Sequence, residues 1–471
     1  MAYNRLTADS ILFFESVIGQ EFVHTDTENL SRCASDQTED LAFPPEVVLR
    51  PETAADISRI VRYCNEHLIP VTTRGAGTGL SGGALPVFGG VCLDTSRLNK
   101  ILKIDKRNFQ VTTEPGVITQ VLQDTLHAEG LYYPPDPASK GSCFIGGNIA
   151  ENSGGPHAVK YGVVKDYVLN LEVVMADGSI IWTGANVLKN ATGYNLTQLL
   201  VGSEGTLGIV TKIVLRTIPA VQYDVVMLVP FRSAAEACAA VNAVFLAGFI
   251  PSAIEFMERD ALDWAMQYVG DNSIKVAPDT QAHLLIELDG NVMDELHRDA
   301  ESITQVLQGF DIGEVLFADD HAQKQNLWNL RRKVGEAVKR NSTYKEEDTV
   351  VPRAELPALL ETVKRIGEKY GFKSVCYGHA GDGNLHVNIV KGDMDEEAWH
   401  TGLLEAIREL FTEVVRLGGT ISGEHGIGWV QAPYMDIAFN QTVLDLMENI
   451  KLLFDPNRIL NPGKIFKSQN R

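Results

Sequence analysis

The chain has 471 residues, 45% of them hydrophobic, which is too much for one ordinary core and calls for two or three domains. Its 41 Lys and Arg stand against 61 Asp and Glu, a formal charge of −20 that repels nucleic-acid phosphates and anionic lipid. A nucleic-acid partner is disfavoured, and an anionic substrate would need a local island of Arg, Lys or metal charge.

The opening, MAYNRLTADSILFFESVIGQ, has neither a basic leader nor a small-residue cleavage site, so no secretory signal is expected and residues 1–43 read as an N-terminal helical segment. From Phe43 the stretch FPPEVVLRPETAADISRIVRYCNEHLIPVTTRGAG predicts strand, helix, strand. Thr53 caps the helix with Asp56 three residues on, and Ile57, Ile60, Val61 and Cys64 form an apolar stripe. Strand-like runs follow in GGVCLDTS and FQVTTEPG, then in LNLEVVMADGSIIWTG, where Asp177-Gly178 signals a two-residue hairpin turn. Near Pro219 the texture changes to strands such as YDVVMLVPF and AHLLIELDG alternating with longer helices such as SITQVLQGF. The most apolar stretch, from Glu236, is broken by Asn242 and Pro251 and reads as a core helix running into a strand, not a membrane span. A last helix, LLEAIRELFTEVVRLGG, puts Leu404, Ile407, Leu410, Phe411 and Val414 on one face and stops at Gly418-Gly419. Six dispersed cysteines without a C-x-x-C pair read as buried, reduced thiols of an intracellular protein.

Four glycine-rich stretches carry the chemistry. RGAGTGLSGG (74–83) and CFIGGNIAENSGG (143–155) expose consecutive backbone N–H groups that can wrap a pyrophosphate, with Thr78, Ser81, Asn148 and Ser153 as further partners. Read as G-A-G-T-G-L the first lacks the third glycine of G-x-G-x-x-G, no acidic residue at the expected distance ends a second parallel strand, and no lysine follows the glycines as in G-x-x-x-x-G-K-[ST]; plain surface turns are the bland alternative. GHAGDGNLH (378–386) and SGEHGIG (422–428) set imidazoles and a carboxylate among glycines, material for a loop-borne metal or acid–base site. Asp382 and Asn384 read as turn formers, and the histidines could equally be structural.

The ordered combination resembles the FAD-linked oxidases with a vanillyl-alcohol-oxidase (PCMH) type flavin domain. It rests on RPETAADISRIVRYCNEHLIPVTTRGAGTGLSGG, PPDPASKGSCFIGGNIAENSGGPHAVKYG and GSEGTLGIVTKIVLR. GHAGDGNLHVN, SGEHGIG and NPGKIF are similar to the D-2-hydroxy-acid dehydrogenase branch, which includes D-lactate dehydrogenase, D-2-hydroxyglutarate dehydrogenase and the flavin subunit of glycolate oxidase. The resemblance implies an α+β fold: a two-subdomain PCMH-type FAD-binding domain (44–220), an α+β substrate or cap domain (221–420), and a C-terminal helical segment (421–471) completing the active site.

It also implies, residue by residue, a first pyrophosphate loop of Arg74, Gly75, Ala76, Gly77, Thr78, Gly79, Leu80 and Ser81. Pro135, Asp136, Ser139, Gly146, Gly147, Asn148, Asn152, Ser153 and Gly154 would line a second flavin segment, with Ile209 and Val210 at the adenine side. The first loop lacks the histidine to which some relatives attach flavin, so FAD is expected to be dissociable. His379, His386 and Glu424 would hold a divalent metal, zinc first with manganese or iron also fitting, and His425 would be the catalytic base. Arg331 matches the arginine used for the substrate carboxylate, and Lys345 and Asn388 fall on two further substrate positions. Gly335 stands where hydroxyglutarate-specific relatives carry a threonine, a change expected to open space. The expectation is therefore FAD-dependent oxidation of a D-2-hydroxy acid, lactate-like first, then glycolate, then D-2-hydroxyglutarate. Electrons would leave to an electron-transfer flavoprotein, a quinone or an iron-sulfur subunit. A homodimer in the cytoplasm is expected, with peripheral membrane association left open. The alternatives are a glycolate oxidase flavin subunit within a larger electron-transfer complex, such a subunit that only passes electrons, and a metal hydrolase whose glycine loops are plain turns.

Overall fold

The computed structural model describes residues 3–270 and 274–466. They form two compact units: one takes the chain up to Gly154, Val163–Ala220 and the chain from Glu424, the other Gly155–Gly162 and Val221–Gly423. Both mix helix and sheet, and no helix among the described residues is long and apolar enough to cross a membrane.

The first unit holds two principal sheets. One runs in the order Val23–His24, Val47–Leu49, Val91–Asp94, Val71–Arg74, with the last three strands parallel. The helix Ala54–Glu66 starts at the Thr53–Asp56 capping box and buries Ile57, Ile60, Val61 and Cys64 against Val47, Val71 and Val91, as its 3.6-residue period requires. The other sheet is antiparallel, in the order Ile101–Asp105, Gln110–Thr113, Ile209–Arg216, Val168–Val174, Ile180–Trp182. Its Asp177-Gly178 hairpin uses three loop residues rather than two, because Met175 N–H still bonds Ser179 O; Gly178 supplies the left-handed φ of 81°. The C-terminal helix Gln441–Phe454 is followed by Ile459 and Leu460, which return to the core of the first sheet.

The second unit is built on one seven-stranded antiparallel sheet, ordered Leu316–Ala318, Tyr223–Phe231, Ala282–Gly290, Ala253–Glu258, Lys373–Gly378, Asn384–Val390, Tyr344–Val350. On one face Val226, Leu285, Val375, Tyr377 and Val390 pack against the helices Arg259–Val269, His321–Arg332 and Val334–Asn341. In the helix Leu403–Arg416, Leu403, Ala406, Ile407, Leu410, Phe411 and Val414 are buried, but Leu404 is 55% exposed. It lies off the stripe because a helix turns 100° per residue and Leu403 takes the inward position. All six cysteines are buried free thiols.

One buried group of this sheet sets an acid limit on stability. His283 is 2% exposed, and burial together with the nearby Arg259 charge pushes its pKa down to about 4. The folded chain therefore binds fewer protons here than the unfolded chain, whose histidine titrates near 6.5. This contribution is intact above pH 6.5 and is lost as pH falls from 6.5 towards 4, by about 3 kcal/mol. His283→Leu is expected to flatten the urea-unfolding free energy across that window; an unchanged pH slope rejects the assignment.

Candidate active site

In the first unit the strand Val71–Arg74 runs straight into the first glycine-rich stretch. Gly77 turns there with φ 71°, and a Cβ on it would lie 2.1 Å from Arg74 Nη2, so the arginine packs beneath a loop that only glycine can make. The second stretch forms the short helix Ile145–Glu151, which Asn152 ends in the left-handed region at φ 53°. Gly146 lets that helix approach Pro115: its N–H bonds Pro115 O at 2.7 Å, and a Cβ would lie 2.5 Å from the proline ring.

Together these segments wall a cleft of about 230 Å³ that opens to solvent. Residues 75–80, Ser139, Gly146, Gly147, Asn148, Ser153, Ile209 and Val210 line it, and so do Glu424 and His425 of SGEHGIG. The other expected flavin residues stand one layer back. Arg74 underlies the first loop, Ser81 O accepts the N–H groups of Trp429 and Val430, and Pro135 O accepts from Gln123. Asp136 is buried 3.6 Å from Lys140, Asn152 accepts from Lys165 N–H, and Gly154 leaves room for Glu424. They shape the wall rather than form it. Glu151 and Glu204 also line the cleft, and the sequence reading passed over both.

In the second unit, GHAGDGNLH is a tight strand-to-strand connection, and its glycines are there for close approach. A Cβ on Gly383 would lie 1.9 Å from Val351 O, and one on Gly381 2.6 Å from Val159. His379 follows the strand Lys373–Gly378, whereas His386 sits within the strand Asn384–Val390, not on a loop as expected, and both are buried. Their rings lie 5.4 Å apart. Each has its Nδ1 against a carboxylate: His379 lies 2.9 Å from both oxygens of Glu255, and His386 3.2 Å from Glu346 and 3.9 Å from Asp348. Glu255, fully buried, also meets Arg331 Nη2 at 2.6 Å, and the guanidinium lies 4.9 Å over the Tyr377 ring. Asp348 ties the end of this unit by accepting from Asn384 Nδ2, Ser422 Oγ and Gly423 N–H. Glu424 is the next residue, where the chain passes to the first unit.

Register settles which expected substrate residues share this face. Residues opposed across an antiparallel pair point the same way, and Asn388 opposes Glu346 and Val375, while His386 opposes Asp348 and Tyr377. Lys345 opposes Ile389, so it projects from the other face; Glu346, one residue on, takes the position expected for the lysine. Gly335 does not open space either, since a Cβ there would meet Tyr377 OH at 3.0 Å. Burial, with the Glu346 charge adding to it, holds the Tyr377 pKa well above its usual value, so its hydroxyl stays neutral.

Glu255, Glu346, Asp348 and Tyr377 were missed. For Glu255 a signal was present: a carboxylate within the apolar strand Ala253–Glu258 is costly unless paired. Glu287, in AHLLIELDG, is a second case. Burial alone would raise its pKa, but His157 at 2.8 Å, Ser252 and Trp328 hold it below the usual carboxylate value.

The family comparisons agree with this anatomy. The description "FAD binding domain" matches residues 45–184 and "FAD linked oxidases, C-terminal domain" residues 220–465. A glycolate oxidase subunit GlcD of Bacillus subtilis is 38% identical over 93% of this chain and 92% of its own length. A D-lactate dehydrogenase of Anaerostipes hadrus is 36% identical over 98% of both chains. A probable mitochondrial D-2-hydroxyglutarate dehydrogenase of Oryza sativa subsp. indica is 34% identical over 98% of this chain and 83% of its own. Among solved structures, p-cresol methylhydroxylase with substrate bound has the same fold at TM-score 0.79 and 19% identity, covering 98% of this chain and 97% of that one. 4-Ethylphenol oxidase from Gulosibacter chungangensis matches at TM-score 0.77 and 20% identity over the whole of both chains. The chain belongs to the FAD-linked oxidase family and is an FAD-dependent oxidoreductase.

Proposed function

We propose that this chain oxidises a D-2-hydroxy monocarboxylate, lactate-like first, to the 2-keto acid. The observation that carries the reading is the row Arg331–Glu255–His379 on the sheet face that also bears His386 and Asn388. A buried arginine offers a planar, bidentate fork for a carboxylate beside two fixed imidazoles.

In this reading Arg331 binds the substrate carboxylate, Asn388 adds a polar contact, and His425 accepts the hydroxyl proton at a ring nitrogen. His379, His386 and Glu424 would hold a divalent ion. The donors suit one, because the Glu255 carboxylate at Nδ1 fixes the His379 ring and raises the basicity of its other nitrogen, as around metal-ligating histidines, and Glu346 brings a second negative charge to 3.2 Å from His386 Nδ1. Two imidazoles and a carboxylate fit zinc, manganese or iron. When bound, the ion would supply a Lewis acid for the substrate hydroxyl, and FAD would supply the acceptor for the α-hydrogen and its two electrons.

The same face argues for a single carboxylate. Glu346 and Asp348 stand beside Asn388 and His386, and a second anionic end would meet two acids there, while Lys345 faces away. In this reading D-2-hydroxyglutarate ranks after lactate and glycolate. A second reading, a glycolate oxidase flavin subunit working within a complex, is favoured by relatives in Bacillus subtilis and Escherichia coli that are named as subunits. Turnover of a hydroxy acid by the isolated chain with an artificial dye would favour the first.

The test is anaerobic visible spectroscopy of the purified protein with D-lactate, L-lactate, glycolate and D-2-hydroxyglutarate. Bleaching of oxidised flavin by D-lactate, lost on chelation and restored by a divalent metal, is expected. Flavin unmoved by all four acids rejects the proposed substrate class.

A further inference from the structure

GSEGTLG and NPGKIF have so far no role beyond marking the family, yet within the first unit they converge beneath residues 424–428. Glu204 is 5% exposed and sits at φ 52°, a conformation a non-glycine residue holds only when its surroundings impose it. Its carboxylate is spent on the backbone: Oε1 accepts from Ile427 N–H at 2.7 Å and Oε2 from Gly428 N–H at 2.7 Å. Two successive amides converging on an anion form a compact nest, stronger than neutral hydrogen bonds and fixed in direction.

The C-terminal segment pins the other side. Asn461 Nδ2 donates to Glu204 O at 2.7 Å and to Gly83 O at 2.9 Å, and Ile465 N–H bonds Gly428 O at 2.9 Å. Lys464 is buried and donates to Leu85 O at 2.6 Å and Asn461 Oδ1 at 3.1 Å. Burial pushes its pKa down to about 8, and the charges of Glu204, Asp36 and Glu151 oppose that fall. The loop has no slack against this bed, since a Cβ on Gly426 would lie 1.9 Å from Glu151 and one on Gly428 2.1 Å from Ser81 O.

We propose that Glu204 is the positioning residue for His425: through the amides of Ile427 and Gly428, and pinned by Asn461, it fixes the loop that presents His425 at the cleft wall. The proposal rests on the reading of His425 as the base. A side chain two residues from a doubly held amide pair is confined in direction, and small losses of alignment at a proton-transfer step are costly in rate.

The test uses the full-length holoprotein and whichever of D-lactate, glycolate and D-2-hydroxyglutarate reduces the flavin fastest. Glu204→Gln keeps the size but confronts one amide with an NH₂ group. It is expected to retain FAD in near-equal stoichiometry, to lower the limiting rate of flavin reduction roughly tenfold, and to displace the acid limb of its pH profile. Asn461→Ala, which leaves the carboxylate in place, is expected to act in the same direction, about threefold. His425→Ala is run alongside. If it reduces flavin at the wild-type rate, the base reading falls; if it is inactive while Glu204→Gln keeps wild-type rate and pH profile, only the positioning role falls. Failure of both the Glu204 and Asn461 variants to fold with flavin would mean that they serve folding, and overturns the proposal as well.

Discussion

His425→Ala is expected to bind FAD as the wild type does and to lose flavin reduction by a D-2-hydroxy acid by a factor of about 10² to 10⁴. The expectation follows from the small share of the cleft wall that His425 makes. The first glycine loop and the helix Ile145–Glu151 line the cleft independently of it, so removing one imidazole would leave the proposed cofactor-binding wall in place. On the proposed role, the proton of the substrate hydroxyl then loses its positioned acceptor. Anaerobic stopped-flow reduction, with flavin content measured on the same sample, separates the two effects. A rate within threefold of wild type would remove His425 from the chemistry, and loss of flavin would make it a cofactor-binding residue instead.

Arg331→Met is expected to raise KM for the acid by about 30- to 1000-fold, the equivalent of roughly 2 to 4 kcal/mol for a desolvated charge-assisted pair. It should also lower Tm. Glu255 has no exposure, and the substitution takes from it a cation at 2.6 Å, leaving a buried carboxylate against His379. Breaking a buried pair in this way costs about 3 to 5 kcal/mol, more than the pair was worth to folding. The two consequences can be pulled apart with the double variant R331M/E255Q. Neutralising both partners should restore most of the Tm, because no unpaired charge remains, while KM stays high for want of a cation. Recovery of both would show that Arg331 serves stability and that the substrate carboxylate is bound elsewhere; an unaltered KM in R331M would say the same.

The site shows how far alternation in a strand can mislead when only the motif is read. TYKEED offers one lysine and three acids in a row, and charge alone favours the lysine as partner for an anion. A strand turns its side chains by half a revolution per residue, so its pairing with Asn384–Val390 decides whether Lys345 or Glu346 faces His386, and the register chooses Glu346. Gly335 is a similar case. Its missing side chain suggests room, but the chain folds Tyr377, more than forty positions away in the sequence, into that space.

What the sequence by itself determined was local and periodic. The capped helix Ala54–Glu66 with its four buried positions, the strands on either side of the glycine loops, and the helix-to-strand run from Ala234 to Glu258 all follow from spacing, capping and turn chemistry within a few residues. The ordered glycine motifs determined the family, because close backbone approach tolerates no other residue at positions such as Gly77, Gly146 and Gly383. Only the tertiary structure decided which carboxylates matter. Glu255 reaches Arg331 and His379 across 76 and 124 positions of chain, and Glu204 reaches Ile427 and Gly428 across 223 and 224. No local pattern encodes such pairings. They exist because burying a charge is so unfavourable that the fold must bring its partner to it, and where that partner comes from is set by strand order and register rather than by neighbours in the chain.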